Sequence, residues 1–324
     1  MPKILHTYRY TGRPLEILQS VIPEGYTIKT LDTPTYEQLV KEAVDADYFL
    51  VSGRLAIDKR VLDAAKKLKM IQRTGVGTEM LDKEEIKRRG IPIYVNAGVN
   101  ARSVAEHTLA LILACLKRIP MIDKQVRNGI WKKQETGTSC YELYGKTVGL
   151  VGMGAIGMQV ADYLNVFGAK IVYTDIRQLS SEQELKLNAT YLPTLEDMLP
   201  RIDILSLHCP LTPENNGFIN KETLSLMKRN TIIINTARGK LINEPDLYNA
   251  LIEGKVSAVA LDVHYEEPIK VENHLLSKLD NVILTPHIGG LSYETFHTMM
   301  KDAIDNIVAF DKGDLETIEG KILK

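Results

Sequence analysis

Short apolar runs alternate with amphipathic segments along nearly the whole chain, and this alternation limits the fold more than any other feature. The runs are rich in β-branched residues and predict buried strands, whereas segments such as 59–67, 157–167 and 246–253 predict helices. This order predicts βαβ units, in which parallel sheets carry helices on both faces. The predicted strands are 3–6, 48–51, 70–72, 91–95, 147–151, 171–174, 202–208, 231–235, 258–262 and 282–285.

The chain has 324 residues, enough for two domains that each bury their own core. A long predicted helix near Ala101 carries the chain from one α/β block to the next, and a second one, 293–311, follows the last predicted strand. We therefore expect a discontinuous substrate-binding domain, residues 1–98 plus 290–324, and a nucleotide-binding domain, residues 99–289. Both are predicted to be Rossmann-like or flavodoxin-like, doubly wound parallel sheets, with a cleft between them.

The net charge excludes one class of partner. Forty basic residues balance 41 acidic ones, giving a net charge of −1, so there is no basic surface for nucleic acid. The longest apolar helix candidate, 104–116, is too short to span a bilayer. The N-terminus lacks a secretory signal, and three widely spaced cysteines predict no disulfide framework. These features predict a cytoplasmic protein without a membrane partner, and no metal site is predicted.

A glycine-rich turn joins the predicted strand 147–151 to a helix. Residues 152–157 read GMGAIG. Gly152 permits the tight turn, Gly154 lets the backbone approach a pyrophosphate, and Gly157 allows close packing of helix on strand. The amide groups at the start of the helix can bind phosphate oxygens. The turn therefore predicts dinucleotide binding.

An acidic residue ends the next predicted strand. Asp175 lies 18 residues after Gly157, where a carboxylate can accept hydrogen bonds from an adenosine ribose diol. Its charge also repels a 2′-phosphate, so NAD (NADH) is predicted in preference to NADP. Arg177 opposes this preference, because a nearby guanidinium can accommodate a 2′-phosphate.

Three polar side chains follow strands of the predicted nucleotide-binding domain. Arg238, Glu267 and His287 each come shortly after a predicted strand, and ligands of such sheets bind beyond the carboxyl ends of the strands. An imidazole exchanges protons near neutral pH, and a neighbouring carboxylate orients it and favours its charged form. A guanidinium can hold a substrate carboxylate and polarise its carbonyl. Taken alone, Arg238 would be a surface arginine, Glu267 a solvated loop residue and His287 a structural histidine. Together they suit hydride transfer between nicotinamide and a 2-oxo or 2-hydroxy acid.

Seven stretches with a recognisable pattern occur in order along almost the whole chain. They are RTGVGTEMLD (73–82), NARSVAEHTLALIL (100–113), ELYGKTVGLVGMGAIG (142–157), LHCPLTPENNGFI (207–219), NTARGKLINEPDL (235–247), ALDVHYEEP (260–268) and LTPHIGG (284–290). In this order they resemble the motifs of the D-isomer-specific 2-hydroxyacid dehydrogenase family.

The resemblance implies roles for individual residues. It implies that Arg238 binds the substrate carboxylate and carbonyl, that His287 donates the proton in the reductive direction, and that Glu267 pairs with His287. It places Asp262 near the nicotinamide amide, and it implies a homodimer joined through the nucleotide-binding domain. The implied cofactor contacts are Val76, Gly152, Gly154, Ala155, Ile156, Gly157, Asp175, His208, Cys209, Pro210, Thr236, Ala237, Arg238, Asp262, His287 and Gly289. The implied substrate contacts are Ser52, Gly53, Gly75, Val76, Gly77, Arg238 and His287.

The chain departs from the commonest family pattern at two pairs of residues. Glu79-Met80 stands where an acid followed by Asn is frequent, and His264-Tyr265 stands where an aromatic residue usually comes first. Arg54, beside the substrate loop at Ser52, is either a second anion contact or a solvated side chain. We expect no regulatory domain after the last helix.

Several functions remain open at this point. The first is a dehydrogenase or reductase of a small D-2-hydroxy acid, with glyoxylate, hydroxypyruvate, its phosphate and pyruvate-like acids as candidates. The alternative is an NAD(H)-sensing binding protein of the co-repressor type on the same scaffold. A complete set of Arg238, Glu267 and His287 favours the enzyme, and Glu267 argues against formate oxidation, where a neutral amide replaces the acid.

Overall fold

The computed structural model describes residues 1–53, 55–75 and 77–323. The chain divides into two compact units, the first formed by Met1–Asn100 and Ser292–Lys324 and the second by Ala101–Leu291. Within the described residues, no helix has the length and apolar character needed to cross a membrane.

The first unit contains a parallel sheet with the strand order β2-β1-β3-β4-β5. Its core is built from strand residues such as Phe49 and Ile71, which pack against apolar helix residues such as Leu39. The strands are β1 (Lys3–His6), β2 (Thr27–Thr30), β3 (Tyr48–Val51), β4 (Met70–Arg73) and β5 (Ile93–Val95), and the helices are α1 (Arg13–Ser20), α2 (Tyr36–Ala43), α3 (Lys59–Ala64) and α4 (Lys83–Arg88).

The second unit contains a parallel sheet with the strand order β12-β11-β10-β9-β6-β7-β8. The strands are β6 (Thr147–Val151), β7 (Lys170–Thr174), β8 (Ala189–Tyr191), β9 (Ile204–Leu207), β10 (Thr231–Asn235), β11 (Val256–Leu261) and β12 (Val282–Leu284). The helices are α5 (Ala101–Lys117), α6 (Ile119–Arg127), α7 (Lys133–Gly137), α8 (Ala155–Val166), α9 (Ser181–Leu187), α10 (Leu195–Met198), α11 (Lys221–Leu226) and α12 (Glu244–Ile252). Short 3-10 helices lie at Leu199–Arg201, Gly239–Leu241, Val271–Asn273 and Leu275–Lys278.

The chain then returns to the first unit through α13 (Tyr293–Lys312) and a 3-10 helix, Glu316–Lys321. A buried amide network fastens α13 to the sheet of that unit. Asn306 Nδ2 donates to Gln72 Oε1 at 3.1 Å, and Asn96 Nδ2 donates to the carbonyl of Met299 at 2.8 Å. Each buried amide is thereby satisfied, as a buried polar group must be.

The predicted fold class, two parallel α/β sheets, is confirmed. All five residues of β10 are buried, as expected of a strand covered on both faces. Two strands were missed by the sequence analysis. Strand β2 reads TIKT and alternates between exposed and half-buried residues, and β8 has three residues, so neither contains an apolar run.

Several predicted boundaries are also wrong by about two residues. Helix α8 begins at Ala155, with Gly154 as its N-cap, rather than at Gly157. Asparagine side chains cap two other helices, since Asn220 Oδ1 accepts from the amides of Glu222 and Thr223 and Asn243 Oδ1 accepts from that of Asp246.

Strand β6 lies at the point where the strand order of the second unit reverses. It pairs with β7 on one side and with β9 on the other. The crevice beyond the carboxyl end of a strand in this position is where doubly wound sheets bind their ligands. The glycine-rich turn directly follows β6 and therefore lies at the edge of the sheet where a ligand is expected.

Candidate active site

The glycine-rich turn is packed too closely for side chains at two of its three glycines. A Cβ at Gly157 would lie 2.1 Å from the carbonyl oxygen of Gly152. Gly152 has φ +98°, and a Cβ there would lie 2.8 Å from the backbone of His208 and Cys209. A Cβ at Gly154 meets nothing within 4 Å. The turn is therefore tight towards the protein and open on the side of Gly154, where a ligand can approach the backbone.

Helix α8 begins at this turn without a side-chain cap. Its first residues include Gly154 and Ala155, which are exposed, and Ile156, which is half-buried. A twelve-residue helix whose N-terminal amides are not capped by a side chain is a favourable binding site for a phosphate group.

Asp175 lies beside the turn, at the end of β7. Its Oδ2 accepts a hydrogen bond from the amide of Met153 at 2.6 Å, and its Oδ1 accepts one from the amide of Arg177 at 3.1 Å. The carboxylate is half-buried, whereas Arg177 is exposed. The structure thus brings Asp175 to the glycine-rich turn.

The segment after β9 forms the other wall of this turn. Burial lowers the pKa of His208 to about 4, so its ring is neutral at neutral pH, and Nε2 lies 2.9 Å from Ser206 Oγ. Burial, with the Asp175 carboxylate as a smaller cause, raises the pKa of the Cys209 thiol to about 11. Pro210 is exposed. This wall therefore carries no charge at neutral pH.

Arg238 follows β10 on a turn that the side chain of Asn235 holds. Asn235 Oδ1 accepts from the amide of Ala237 at 3.0 Å, and Asn235 Nδ2 donates to the carbonyl of Arg238 at 2.9 Å. Thr236 precedes them, and its hydroxyl lies 3.0 Å from that of Thr108 on α5. These contacts fix the backbone from which the guanidinium extends.

The residue after Arg238 must be glycine. A Cβ at Gly239 would lie 2.0 Å from the carbonyl carbon of His264 and 2.6 Å from the amide nitrogen of Tyr265. The turn after β10 therefore packs directly on the loop after β11, and that loop carries Glu267.

Glu267 and His287 form a hydrogen-bonded pair across neighbouring strand ends. His287 Nδ1 lies 2.8 Å from Glu267 Oε2, while Glu267 Oε1 accepts from the backbone amide of His264 at 2.8 Å. The glutamate side chain is 12% exposed and the histidine side chain 46% exposed. A buried acid thus holds a histidine that solvent and ligands can reach.

His287 has a left-handed backbone conformation, with φ +57°. This conformation is costly for a residue with a Cβ and persists only where surrounding contacts enforce it. Asp262 supplies those contacts from the end of β11. Its Oδ1 accepts from Thr285 Oγ1 at 2.6 Å and from the amide of Ile288 at 2.9 Å, and its Oδ2 accepts from the amide of Gly289 at 2.8 Å.

The Asp262 carboxylate is 2% exposed. Burial raises its pKa, but the hydrogen bonds from His107, Thr285 and the two loop amides outweigh burial and hold the pKa well below its usual range. The carboxylate is therefore ionised at neutral pH, and it fastens the loop on both sides of His287.

Sequence reasoning assigned no role at this loop to Ser103, His107 or Thr285. His107 Nε2 lies 3.1 Å from Thr285 Oγ1 and 3.4 Å from Asp262 Oδ1, and Ser103 Oγ donates to the carbonyl of Gly289 at 2.8 Å. No local signal identifies these contacts, since 178 residues separate His107 from Thr285.

The predicted substrate loops of the first unit follow β3 and β4, which are neighbours in its sheet. Ser52 Oγ lies 3.1 Å from Thr74 Oγ1. Arg73 links the two loops, because Nε donates to the carbonyl of Gly77 at 2.7 Å and Nη1 to that of Val51 at 2.8 Å. Gly53 and Gly75 are half-buried. Val76 and Arg54 lie outside the described residues.

Comparisons with known proteins identify the family to which the chain belongs. The sequence model described as "D-isomer specific 2-hydroxyacid dehydrogenase, NAD binding domain" matches residues 109–289. The glyoxylate reductase of Korarchaeum cryptofilum is 38% identical over 285 residues, which cover 87% of this chain and 85% of that protein. The chain belongs to the D-isomer-specific 2-hydroxyacid dehydrogenase family.

Two further family members have different substrates in their names. The D-3-phosphoglycerate dehydrogenase of Methanocaldococcus jannaschii is 42% identical over 296 residues, which cover 91% of this chain and 54% of that protein. The D-lactate dehydrogenase of Aquifex aeolicus, solved with NAD and lactic acid, superposes with a TM-score of 0.84 at 30% identity and covers 99% of this chain and 98% of its own.

This member of the 2-hydroxyacid dehydrogenase family is an NAD-dependent oxidoreductase, and the enzyme prediction is confirmed. The residues of the glycine-rich turn fit NAD. Gly154 leaves space for the pyrophosphate, the start of α8 offers amide groups, and Asp175 lies within reach of the same turn.

The fit gives a prediction for Asp175. Replacing Asp175 with Asn removes the charge but keeps an oxygen that can accept from Met153, so the enzyme should fold and still lose preference for NADH over NADPH. We expect the ratio of the two kcat/KM values to fall by roughly 10- to 100-fold, the effect of a charge-assisted hydrogen bond and a removed repulsion. Arg177→Ala is the matched control. An unchanged ratio in Asp175→Asn with a changed ratio in Arg177→Ala would assign the discrimination to Arg177.

Proposed function

We propose that the enzyme reduces a small 2-oxo acid to the D-2-hydroxy acid with NADH. His287 gives a proton to the carbonyl oxygen, Glu267 holds His287, and Arg238 binds the carboxylate and carbonyl of the substrate. The observation that carries the proposal is the 2.8 Å contact between Glu267 and His287 at the carboxyl edge of the sheet that also carries the nucleotide-binding turn.

The glutamate sets the tautomer of the histidine. A carboxylate accepts hydrogen bonds, so the Nδ1 atom of His287 carries a hydrogen towards Glu267. Nε2 is then the ring nitrogen that exchanges a proton with the substrate oxygen. The second oxygen of Glu267 is held by the amide of His264, so the carboxylate cannot rotate freely. The pair therefore presents one nitrogen in one orientation.

Arg238 supplies the positive charge. Its planar guanidinium can contact a carboxylate and an adjacent carbonyl at the same time, which a lysine cannot do. The strand order supports its partnership with the pair, because Arg238, Glu267 and His287 follow β10, β11 and β12, three adjacent strands. Charge that develops on the carbonyl oxygen during reduction would be stabilised by this cation.

NADH, when bound, would supply the hydride that is transferred to the substrate carbon. We propose that Gly152, Gly154, Ala155, Ile156 and Gly157 hold its pyrophosphate. Asp175 would hold its ribose, and His208, Cys209, Pro210, Thr236, Ala237, Asp262 and Gly289 would form the remaining wall. Since Asp262 already fastens the loop of His287, its proposed contact with the nicotinamide amide would join the cofactor to the proton donor.

Glyoxylate is the first substrate we propose to test. Two relatives named glyoxylate reductase are 38% and 40% identical to this chain, which covers 85% and 83% of their length. We also propose that Ser52, Gly53, Gly75 and Gly77 contact the substrate, which makes the first unit the substrate-binding domain. The homodimer and the cytoplasmic location stay predictions.

A panel of 2-oxo acids tests this function. Purified enzyme is mixed with NADH or NADPH and with glyoxylate, hydroxypyruvate, its phosphate or pyruvate, and the loss of nicotinamide absorbance is followed. We expect NADH-dependent turnover that is fastest with one of the unphosphorylated acids. Formate with NAD⁺ serves as the control and should give no signal. Binding of NADH without turnover of any acid would contradict the proposal and favour a sensor.

A further inference from the structure

His264 contacts both of the loops that carry the proposed proton-donating pair. Its backbone amide donates to Glu267 Oε1 at 2.8 Å, and its imidazole Nε2 lies 2.9 Å from the carbonyl oxygen of Thr285, two residues before His287. The residue is 8% exposed. A single buried residue thus joins the loop after β11 to the loop after β12.

The two contacts depend differently on the side chain. Any residue at position 264 except proline can offer a backbone amide to Glu267. The contact with Thr285 requires a donor at the end of the side chain, because a carbonyl oxygen only accepts. Nε2 of His264 therefore carries a hydrogen. A phenylalanine or tyrosine ring would fill a similar volume but place no donor at this position.

The second ring nitrogen of His264, Nδ1, is enclosed by the protein. Nδ1 is buried and has no hydrogen-bond partner among the described residues, and the same holds for both ring nitrogens of His274. The two rings meet edge to face with their centroids 6.1 Å apart, and His274 Nε2 lies 3.8 Å from Glu244 Oε1. Asp262 and His107 are ionisable residues that contact the hydroxyl of Thr285 in the same loop.

The backbone of His264 also faces the turn of Arg238. The carbonyl carbon of His264 would lie 2.0 Å from a Cβ at Gly239, so these two segments of the chain are in close contact. A shift of the loop after β11 would therefore be transmitted to the turn that carries the guanidinium as well as to Glu267.

We propose that His264 is a positioning residue for the reaction, whose imidazole holds the carbonyl of Thr285 so that the left-handed backbone at His287 keeps the ring on Glu267. This inference rests on the proposed function of that pair and extends it. His264 stands where an aromatic residue is usual in the family. Its imidazole forms a hydrogen bond with the carbonyl of Thr285 that an aromatic hydrocarbon ring cannot form.

The test compares four variants of the intact enzyme. His264→Phe keeps the ring volume and the backbone amide but loses the donor. His264→Gln places an amide NH₂ at the same distance along the side chain as Nε2, whereas His264→Asn is too short to do so. His274→Phe is the matched control, since it makes the same replacement at a buried neighbour that holds neither loop.

We expect His264→Phe and His264→Asn to lower kcat about 10-fold, the factor associated with one lost hydrogen bond, with little change in KM or in the Kd for NADH. His264→Gln should recover most of kcat, and His274→Phe should resemble the wild type. Because a carboxylate favours the protonated form of a neighbouring imidazole, a loosened pair should also move the alkaline limb of reduction to lower pH.

Two outcomes would overturn the inference. One is a wild-type kcat and pH profile in His264→Phe, and the other is an equal loss in His274→Phe, which would reveal a general packing effect. If His264→Phe does not fold, the comparison of His264→Gln with His264→Asn decides, because equal rates in these two variants contradict a role for the donor. A failure of the proposed function itself is distinguishable, since His287→Gln would then retain turnover.

Discussion

His287→Gln is expected to lose about 10²- to 10⁴-fold in kcat while it continues to bind NADH, because general acid catalysis by a positioned side chain contributes that much. Glutamine can occupy a similar volume, and its amide NH₂ group can donate a hydrogen bond to Glu267. It cannot release a proton to the substrate near neutral pH. Stopped-flow measurement of the reductive step, together with NADH titration, separates the loss of chemistry from a loss of cofactor binding.

Two controls accompany this variant. His274→Gln makes the same substitution at a buried histidine outside the proposed machinery and should keep kcat close to that of the wild type. Glu267→Gln keeps the shape of the partner but removes its charge, so it should retain more activity than His287→Gln and show an alkaline limb moved to lower pH. Turnover by His287→Gln within a few-fold of the wild type would mean that another group donates the proton.

Arg238→Ala should reduce kcat/KM for the 2-oxo acid by about 10³-fold, with a higher KM and a lower kcat. The guanidinium is proposed to bind the carboxylate in both the ground state and the transition state, which sets KM. It would also stabilise the charge that grows on the carbonyl oxygen, and the loss of one such donor costs roughly 10²- to 10³-fold in kcat. Steady-state kinetics over a range of 2-oxo acid concentrations measure both parameters.

Two control variants, Arg238→Lys and Arg229→Ala, are compared with Arg238→Ala in the same kinetic measurements. Lysine keeps the charge but not the planar fork, so Arg238→Lys should recover only part of the activity. Arg229 is exposed and precedes β10, at the opposite end of the same strand, and its loss should leave the kinetics unchanged. An unchanged KM in Arg238→Ala would contradict the assigned contact with the carboxylate.

The hydrogen bonds around His287 explain how such a site can tolerate a strained residue. The left-handed backbone at His287 is held by the ionised Asp262 from one side and by its neighbours Thr285 and Gly289. Because Asp262 and Thr285 directly follow β11 and β12, the position of the ring depends on the ends of these two strands. A proton donor held in this way loses little orientation when substrate binds.

The sequence by itself determined the fold class and the pattern of the nucleotide-binding turn. Alternating apolar runs and helices leave few arrangements other than parallel sheets, and the glycines of residues 152–157 followed by Asp175 form a local pattern with one mechanical purpose. It also indicated Arg238, Glu267 and His287 as site residues, because each comes shortly after a strand and the carboxyl ends of parallel strands lie along one edge of the sheet.

The tertiary structure alone decided how these residues are held. Segments β2 and β8 lack an apolar pattern of their own, and they form strands by pairing with β1 and β7. The anchors of the His287 loop come from α5 and from the end of β11, at separations of 178 residues for His107 with Thr285 and 21 for His264 with Thr285. A periodic pattern encodes which face of an element is buried, but a hydrogen bond between distant segments depends on how those segments pack, and no local pattern contains that information.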